Sequence, residues 1–186
     1  GIFWRANGYT PTRISTHAIE QAINDLDWSK CYATVWEDRG HKVVYWTFPD
    51  GLTWGYDVST QLWHRRKSYG FDNWRVNHLV YWNGQWIGGD AYSDKLYSLD
   101  WEANDENGAV LERLRTTPVQ HSNQSRFRVD AVEIVVSTGR SAIDNADYAL
   151  ELSYSDDGGY TYGNWMARSL GAVGEYGKRL LWRRLG

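Results

Sequence analysis

Short runs rich in Val, Ile, Tyr, Trp and Thr alternate along this chain with eighteen Gly and three Pro. That rhythm predicts short strands joined by turns, and so a mainly β fold. One stretch departs from it. Ala18, Ile19, Ala22, Ile23 and Leu26 recur at helical spacing, which predicts a single short helix over Ser15 to Leu26, with Ser15 or Thr16 as N-cap. Further on, Tyr148, Leu150, Leu152 and Tyr154 alternate with Ala149, Glu151 and Ser153 as a half-buried strand should. A hairpin turn is expected at Asp156 to Gly159. Val129 to Ser137 reads as a strand apolar on both faces near its end, and Lys178 to Leu185 as a strand with snorkelling Arg stems.

The pattern also repeats. Val43-Val44-Tyr45-Trp46 returns as Leu79-Val80-Tyr81-Trp82, Gly51, Gly55 and Asp57 match Gly84, Gly88 and Asp90, and Leu62-Trp63 matches Leu96-Tyr97. Each unit reads as strand, turn, strand, Asp-led turn and a strand ending in an aromatic, with Gly40-His41 opening the first. Such units resemble blades of Kelch or WD-type β-propellers. Two copies do not close a ring of about four to eight blades, so they read as part of a larger array. The competing reading is a pair of similar hairpins in a sandwich.

After the acidic, turn-rich stretch Glu102 to Gly108 the texture changes. Residues 1–112 carry 10 basic and 15 acidic side chains, whereas 113–186 carry 10 and 8. A domain boundary is placed there: a short helix and two blade-like repeats in 1–112, then a small antiparallel β-sandwich in 113–186.

Composition narrows the function. The 186 residues carry a net charge of −3, which disfavours purely electrostatic nucleic-acid binding. Twelve Trp, thirteen Tyr and four Phe demand a folded core. No apolar run approaches the roughly 18–20 residues of a membrane-spanning helix. Cys31 is the only cysteine, so no intrachain disulfide forms and no multi-cysteine metal site exists. Met166 is the only methionine and Gly1 opens directly into Ile2-Phe3-Trp4, so both termini read as cut edges.

Candidate chemistry is mostly structural. Ser155, Asp157, Gly159, Thr161 and Tyr162 fit the Asp-box pattern S-x-D-x-G-x-T-[W/Y], in which the Asp and Ser bond backbone amides of a hairpin turn and the aromatic packs beneath it. One box does not imply hydrolysis. The carboxylate pairs Asp156/Asp157, Asp25/Asp27 and Glu37/Asp38 sit in no acid/base motif, which argues against a glycosidase. His17, His41, His64, His78 and His121 are too dispersed for a zinc signature, Cys31 lacks a thiol-protease context, and no Ser occupies a G-x-S-x-G elbow. Gly171, Gly174 and Gly177 match no phosphate-binding loop and read as turn glycines. The basic and aromatic runs Trp63-His64-Arg65-Arg66-Lys67 and Lys178 to Arg184 suit a protein interface better than nucleic acid, since Trp, Tyr and Arg dominate interface hot spots. Trp63, Arg65, Arg66, Arg179, Trp182, Arg183 and Arg184 are the interface candidates.

Four segments together resemble the phage stabilisation proteins, tail hub components of short-tailed phages of the P22 type. They are Tyr9 to Thr16, Gly40-His41 through Asp57 to Trp63-His64-Arg65-Arg66-Lys67-Ser68, the Ser153 to Gly159 hairpin, and Leu170-Gly171-Ala172-Val173-Gly174-Glu175-Tyr176-Gly177 into Arg179 and Trp182 to Gly186. The chain has Tyr162 where that family commonly has Trp. The resemblance implies a longer chain with propeller blades upstream and a virion protein without catalysis or cofactor. It further implies a ring below the portal and adaptor that closes the channel after DNA packaging. Partners would be further copies, the head-to-tail adaptor, the tail needle and the tailspikes, with passing contact to packaged DNA. The protein would pass from the host cytoplasm into the virion tail. Gly171, Gly174 and Tyr176 join the Asp-box residues as turn-shaping positions. The alternative is a carbohydrate-binding β-propeller or lectin-like fragment whose exposed Trp and Tyr stack on sugar faces.

Overall fold

A computed structural model describes residues 1–103, 105–123, 125–140 and 148–185; Gly186 of the closing run lies outside them. The chain divides into two compact units, Gly1–Leu114 and Arg115–Gly186.

The first unit opens with a two-stranded ribbon, β1 (Trp4–Asn7) and β2 (Thr10–Arg13), followed by helix α1 (His17–Ala22) and a 3-10 turn at Trp28–Lys30. The helix is shorter than the apolar spacing suggested. Thr16 is the N-cap, its Oγ1 accepting from the Ile19 N–H, and Ile23 is already the C-cap. Asn24, Asp25 and Asp27, all poor helix formers, follow. Ser15 is instead a buried tie: its Oγ accepts from the Phe3 N–H at 3.1 Å and donates to Glu20 at 2.6 Å.

A four-stranded antiparallel meander follows, made of β3 (Tyr32–Asp38), β4 (His41–Thr47), β5 (Thr53–Asp57) and β6 (Leu62–Arg66). A three-stranded one comes next, made of β7 (Val76–Trp82), β8 (Gln85–Asp90) and β9 (Leu96–Leu99), and the small pair β10 (Asp105–Glu106) and β11 (Ala109–Val110) closes the unit. Side-chain alternation gives the first meander two apolar faces. Trp46, Trp54 and Trp63 pack with Phe3, Ile19, Ile23 and Phe48 on one side. On the other, Val43 and Tyr45 pack with Trp74, Val76, Leu79, Tyr97 and Leu99 from the second meander. The cores are therefore aromatic because a sheet covered on both sides needs large side chains to fill the space between layers.

The sequence repeat pairs strands that hold different positions in their sheets: Val43 to Trp46 lie on the second strand of one meander, Leu79 to Trp82 on the first strand of the other. The backbone gives another equivalence. The β3–β4 and β7–β8 hairpins share a two-residue turn with both φ values positive, Arg39-Gly40 (47° and 84°) and Asn83-Gly84 (48° and 81°). Superposing the turns equates Trp36 with Val80 and Val43 with Ile87. Trp36 and Val43 are covered by the second meander, whereas Val80 is 57% exposed. Equivalent faces therefore stack in the same sense from sheet to sheet, as propeller blades do, and the stack is open.

The second unit has two antiparallel pairs, β12 (Ala131–Ile134) with β15 (Leu180–Arg183) and β13 (Ala149–Leu152) with β14 (Met166–Ser169). Leu180, Trp182 and Leu185 form its buried centre, covered by Val132, Ile134, Leu150, Leu152 and Met166. Strand order 12-15 joins distant segments, so the closing run of the chain completes this core.

Candidate functional site

The β13–β14 connection is built around Asp157. Its Oδ1 accepts from the backbone N–H groups of Tyr160 and Thr161, both at 2.9 Å, and its Oδ2 accepts from the Thr161 hydroxyl at 2.5 Å. Ser155 Oγ donates to Asp157 at 2.7 Å and accepts from the Gly159 N–H at 2.8 Å. The Thr161 hydroxyl and N–H, then Ser155, hold the Asp157 carboxyl well below the usual carboxylate range. Gly158 and Gly159 take φ of 79° and 96°, which side chains resist. Every acceptor of Asp157 is thus spent on shaping the turn. Tyr162 reaches back to the turn, its hydroxyl 3.6 Å from where a Cβ at Gly159 would stand, yet it stays 51% exposed, and Tyr154, Tyr160 and Trp165 are exposed beside it in sequence.

Gly171 and Gly174 also sit at positive φ, in a turn closed by the Glu175 side chain, which accepts from the Ala172 N–H at 3.1 Å. Thr138 secures this turn, donating to the Glu175 carbonyl and accepting from the Lys178 N–H, both at 3.1 Å. The Glu175 backbone passes so close to Gly139 that a Cβ there would lie 2.8 Å from it. Tyr176 projects from the turn and is 71% exposed. Thr138, Gly139 and Glu175 were not singled out from sequence, because their pairing spans strands far apart in the chain.

The interface candidates separate into groups. Trp182 is fully buried and its indole donates to the Met166 carbonyl at 2.7 Å, so it is a core residue and not a surface one. Trp63 is half-buried, stacked on Trp46 and donating to the Ile14 carbonyl at 2.8 Å, so its indole N–H is spent within the chain. Arg66 lies over the Trp74 ring at 4.1 Å, a cation–π contact that caps the core between the meanders. Arg65 donates to the Asp72 carbonyl at 3.2 Å, and Arg179 grips Glu133 through two hydrogen bonds at 2.7 and 2.8 Å. Arg183 and Arg184 are exposed. In β15 Trp182 turns inward and Arg183 outward, as strand period 2 requires, whereas Arg184 follows the strand at a φ of 63°.

The two Asp-led turns carry more electrostatics than their role as repeat markers suggested. Asp57 is buried, which pushes its pKa up, yet the hydrogen bonds outweigh that and leave the carboxyl well below the usual range. They come from His41 (2.7 Å), the Ser59 N–H (2.9 Å) and the Thr60 hydroxyl (3.0 Å). Asp90 is pulled down first by Arg75, against burial, with help from Ser93, the Tyr92 N–H and the Tyr97 hydroxyl. Both turns bond the N–H two residues on and the hydroxyl three residues on, the mark of an Asx turn.

Of the six carboxylates considered for catalysis, five are engaged elsewhere, Asp157 in its own turn and four others in contacts of their own. Asp27 caps Ser29, Asp25 accepts from Asn24, Glu37 pairs with Lys42, and Asp38 accepts from the Trp101 indole. Cys31 packs against the Phe3 core and burial pushes its thiol up, away from the reactive thiolate. Among the described residues, no cluster of three or more His, Cys, Asp or Glu is placed to hold a metal ion, and no helix is long and apolar enough to cross a membrane.

With blade-like meanders in the first unit and paired hairpins in the second, the comparison with known families is decisive. The family model "Bacteriophage P22 Gp10, beta-propeller" matches residues 1–104, and "Bacteriophage P22 Gp10, beta-sandwich" matches residues 112–186. The chain belongs to the P22 Gp10 family. No curated protein matches it. As a Gp10-family chain it is a phage protein of the stabilisation type, carrying part of a propeller and a β-sandwich, and its open stack of sheets is the corresponding portion of that architecture.

Proposed function

We propose that this protein is a structural component of a short phage tail, assembled as a ring around the DNA channel below the portal and adaptor. It closes the channel after packaging and connects the adaptor to the tail needle and tailspikes, meeting packaged DNA only in passing. Its work is contact, without catalysis. What supports this reading is that a chain of the Gp10 family spends its polar side chains on rigid turns and closed cores, with Asp57, Asp90 and Asp157 all bound internally. A scaffold of locked hairpins presenting exposed aromatics suits permanent assembly.

The test is genetic. Particles assembled without this protein are expected to fill with DNA and then lose it, giving empty heads by electron microscopy. Heads that remain full without it would remove the closing role.

A further inference from the structure

One stretch of the second unit runs against the charge of its surroundings. Residues 113–186 carry 10 basic and 8 acidic side chains, yet from Tyr148 to Ala167 there are three acidic ones, Glu151, Asp156 and Asp157, and no Lys, Arg or His. The same stretch is rich in exposed rings. Tyr154 and Tyr162 stand in water, Trp165 is 55% exposed, and Tyr160 beside the Asp157 turn is 91% exposed.

The strand period sorts these groups. Leu150, Leu152 and Met166 turn into the core, which leaves Ala149, Glu151 and Ala167 on the outer face of the β13–β14 pair; Trp165, one residue before β14, falls on that face with Ala167. The register sets Glu151 opposite Ala167 and therefore diagonal to Trp165, with about 7–8 Å between their backbones. The two alanines leave the shelf around the indole and the carboxylate open.

Elsewhere the chain supplies its own cation to such rings: Arg39 lies over Trp101, Arg66 over Trp74 and Arg168 over Trp182. Among the described residues no cation lies over Tyr154, Tyr160, Tyr162 or Trp165, and Glu151 and Asp156 have no hydrogen-bond or ion-pair partner. The nearest cation along the chain, Arg168, is committed to the carbonyls of Leu181 and Ala167 at 3.1 and 2.8 Å. Asp157 is consumed by its own turn, which makes the hairpin a rigid support for the groups left free.

We infer that the outer face of this hairpin docks an arginine- or lysine-bearing segment of another protein, one cation seated over the Trp165 indole and held by the Glu151 carboxylate, a second meeting Asp156 beside Tyr160. A guanidinium within about 6 Å of an indole centroid is attracted by the ring face, and the diagonal carboxylate accepts from its N–H groups. Charge selects the occupant, since a face with free carboxylates and no cation repels an anionic partner such as nucleic acid. Acceptors at both the middle and the tip of an open hairpin suit an extended chain with several cations better than one small cation. This deepens the assembly reading above and rests on it for the source of the segment, another protein of the tail.

The probe is a short peptide alternating Arg and Ser, titrated into the full chain at low salt and followed by calorimetry. The unaltered chain should bind it, and Glu151→Gln and Trp165→Ala should each weaken binding about threefold to tenfold. Glu133→Gln, which makes the same change in net charge outside the hairpin, should leave binding unchanged, and a peptide with citrulline in place of every arginine should not bind. Unchanged melting temperatures keep the comparison about contact, and Trp165→Leu serves in place of Trp165→Ala should that variant unfold. No binding by the unaltered chain, equal losses in Glu133→Gln and Glu151→Gln, or a citrulline peptide bound as well as the arginine one would overturn the inference. Maltoheptaose bound in place of the peptide would also overturn it and assign the rings to a sugar. Phage carrying Glu151→Gln and Trp165→Ala whose tails assemble as the unaltered ones do would sink this contact alone and leave the tail role standing.

Discussion

Arg75 grips Asp90 through two hydrogen bonds, from Nε at 3.1 Å and Nη2 at 2.7 Å, and the carboxylate is entirely shielded from solvent. The pair ties the residue before β7 to the turn that follows β8. Its partner groups all donate to one carboxylate, so removing that carboxylate leaves Arg75 buried and unpaired. Asp90→Ala is expected to cost the first unit about 3–5 kcal/mol, read as a lowered urea midpoint. A change below about 1 kcal/mol would show that the pair contributes little.

Gly55 tests the packing of the first meander. A Cβ there would lie 2.6 Å from His64 and 2.7 Å from the Tyr45 ring. Gly55→Ala should therefore destabilise the unit by about 1–3 kcal/mol through overpacking. Gly40, whose site is open, gives the contrasting strain of a positive φ without a clash. Comparing the two melts separates crowding from backbone strain.

In the second unit, Asp157→Ala removes four hydrogen bonds from one turn without opening a core. The melting temperature of that unit is expected to fall while the exposed aromatics keep their environment, as tyrosine and tryptophan fluorescence would report. An unchanged melt would remove the turn-shaping role of Asp157.

Acid should unfold the protein in two stages. His64 is pushed down by the desolvation of its ring and by Arg66, so in the fold it takes up its proton at a lower pH than in the unfolded chain, where histidine protonates below about pH 6.5. Stability should begin to fall there as pH drops. Asp57, Asp90 and Asp157 have folded values below the unfolded value of about 3.9, so their contribution is present above that pH and is lost as pH falls through it. Urea midpoints taken across pH should show a shallow decline and then a steep one. A flat profile down to about pH 4 would contradict the His64 assignment.

Much of this was legible in the residues. Gly-punctuated runs of β-branched and aromatic side chains announce short strands, and the Ser155 to Tyr162 pattern announces its own turn. The strand equivalence was not legible, because period-2 patterns match at any even shift. Val43 to Trp46 and Leu79 to Trp82 look alike although their strands occupy different places, while the equivalent turns Arg39-Gly40 and Asn83-Gly84 share only their glycine. The burial of Trp182 and Trp63 was equally hidden, since a Trp beside arginines is apolar payload or surface anchor according to which face of the strand it takes. The Thr138–Glu175 tie joins segments too far apart for any local pattern to signal it.

Immunogold electron microscopy of phage particles, with antibody raised against this chain, tests the central claim most directly. Gold confined to the tail vertex is the predicted result. Unlabelled particles, with the antigen left in the soluble fraction, would contradict it.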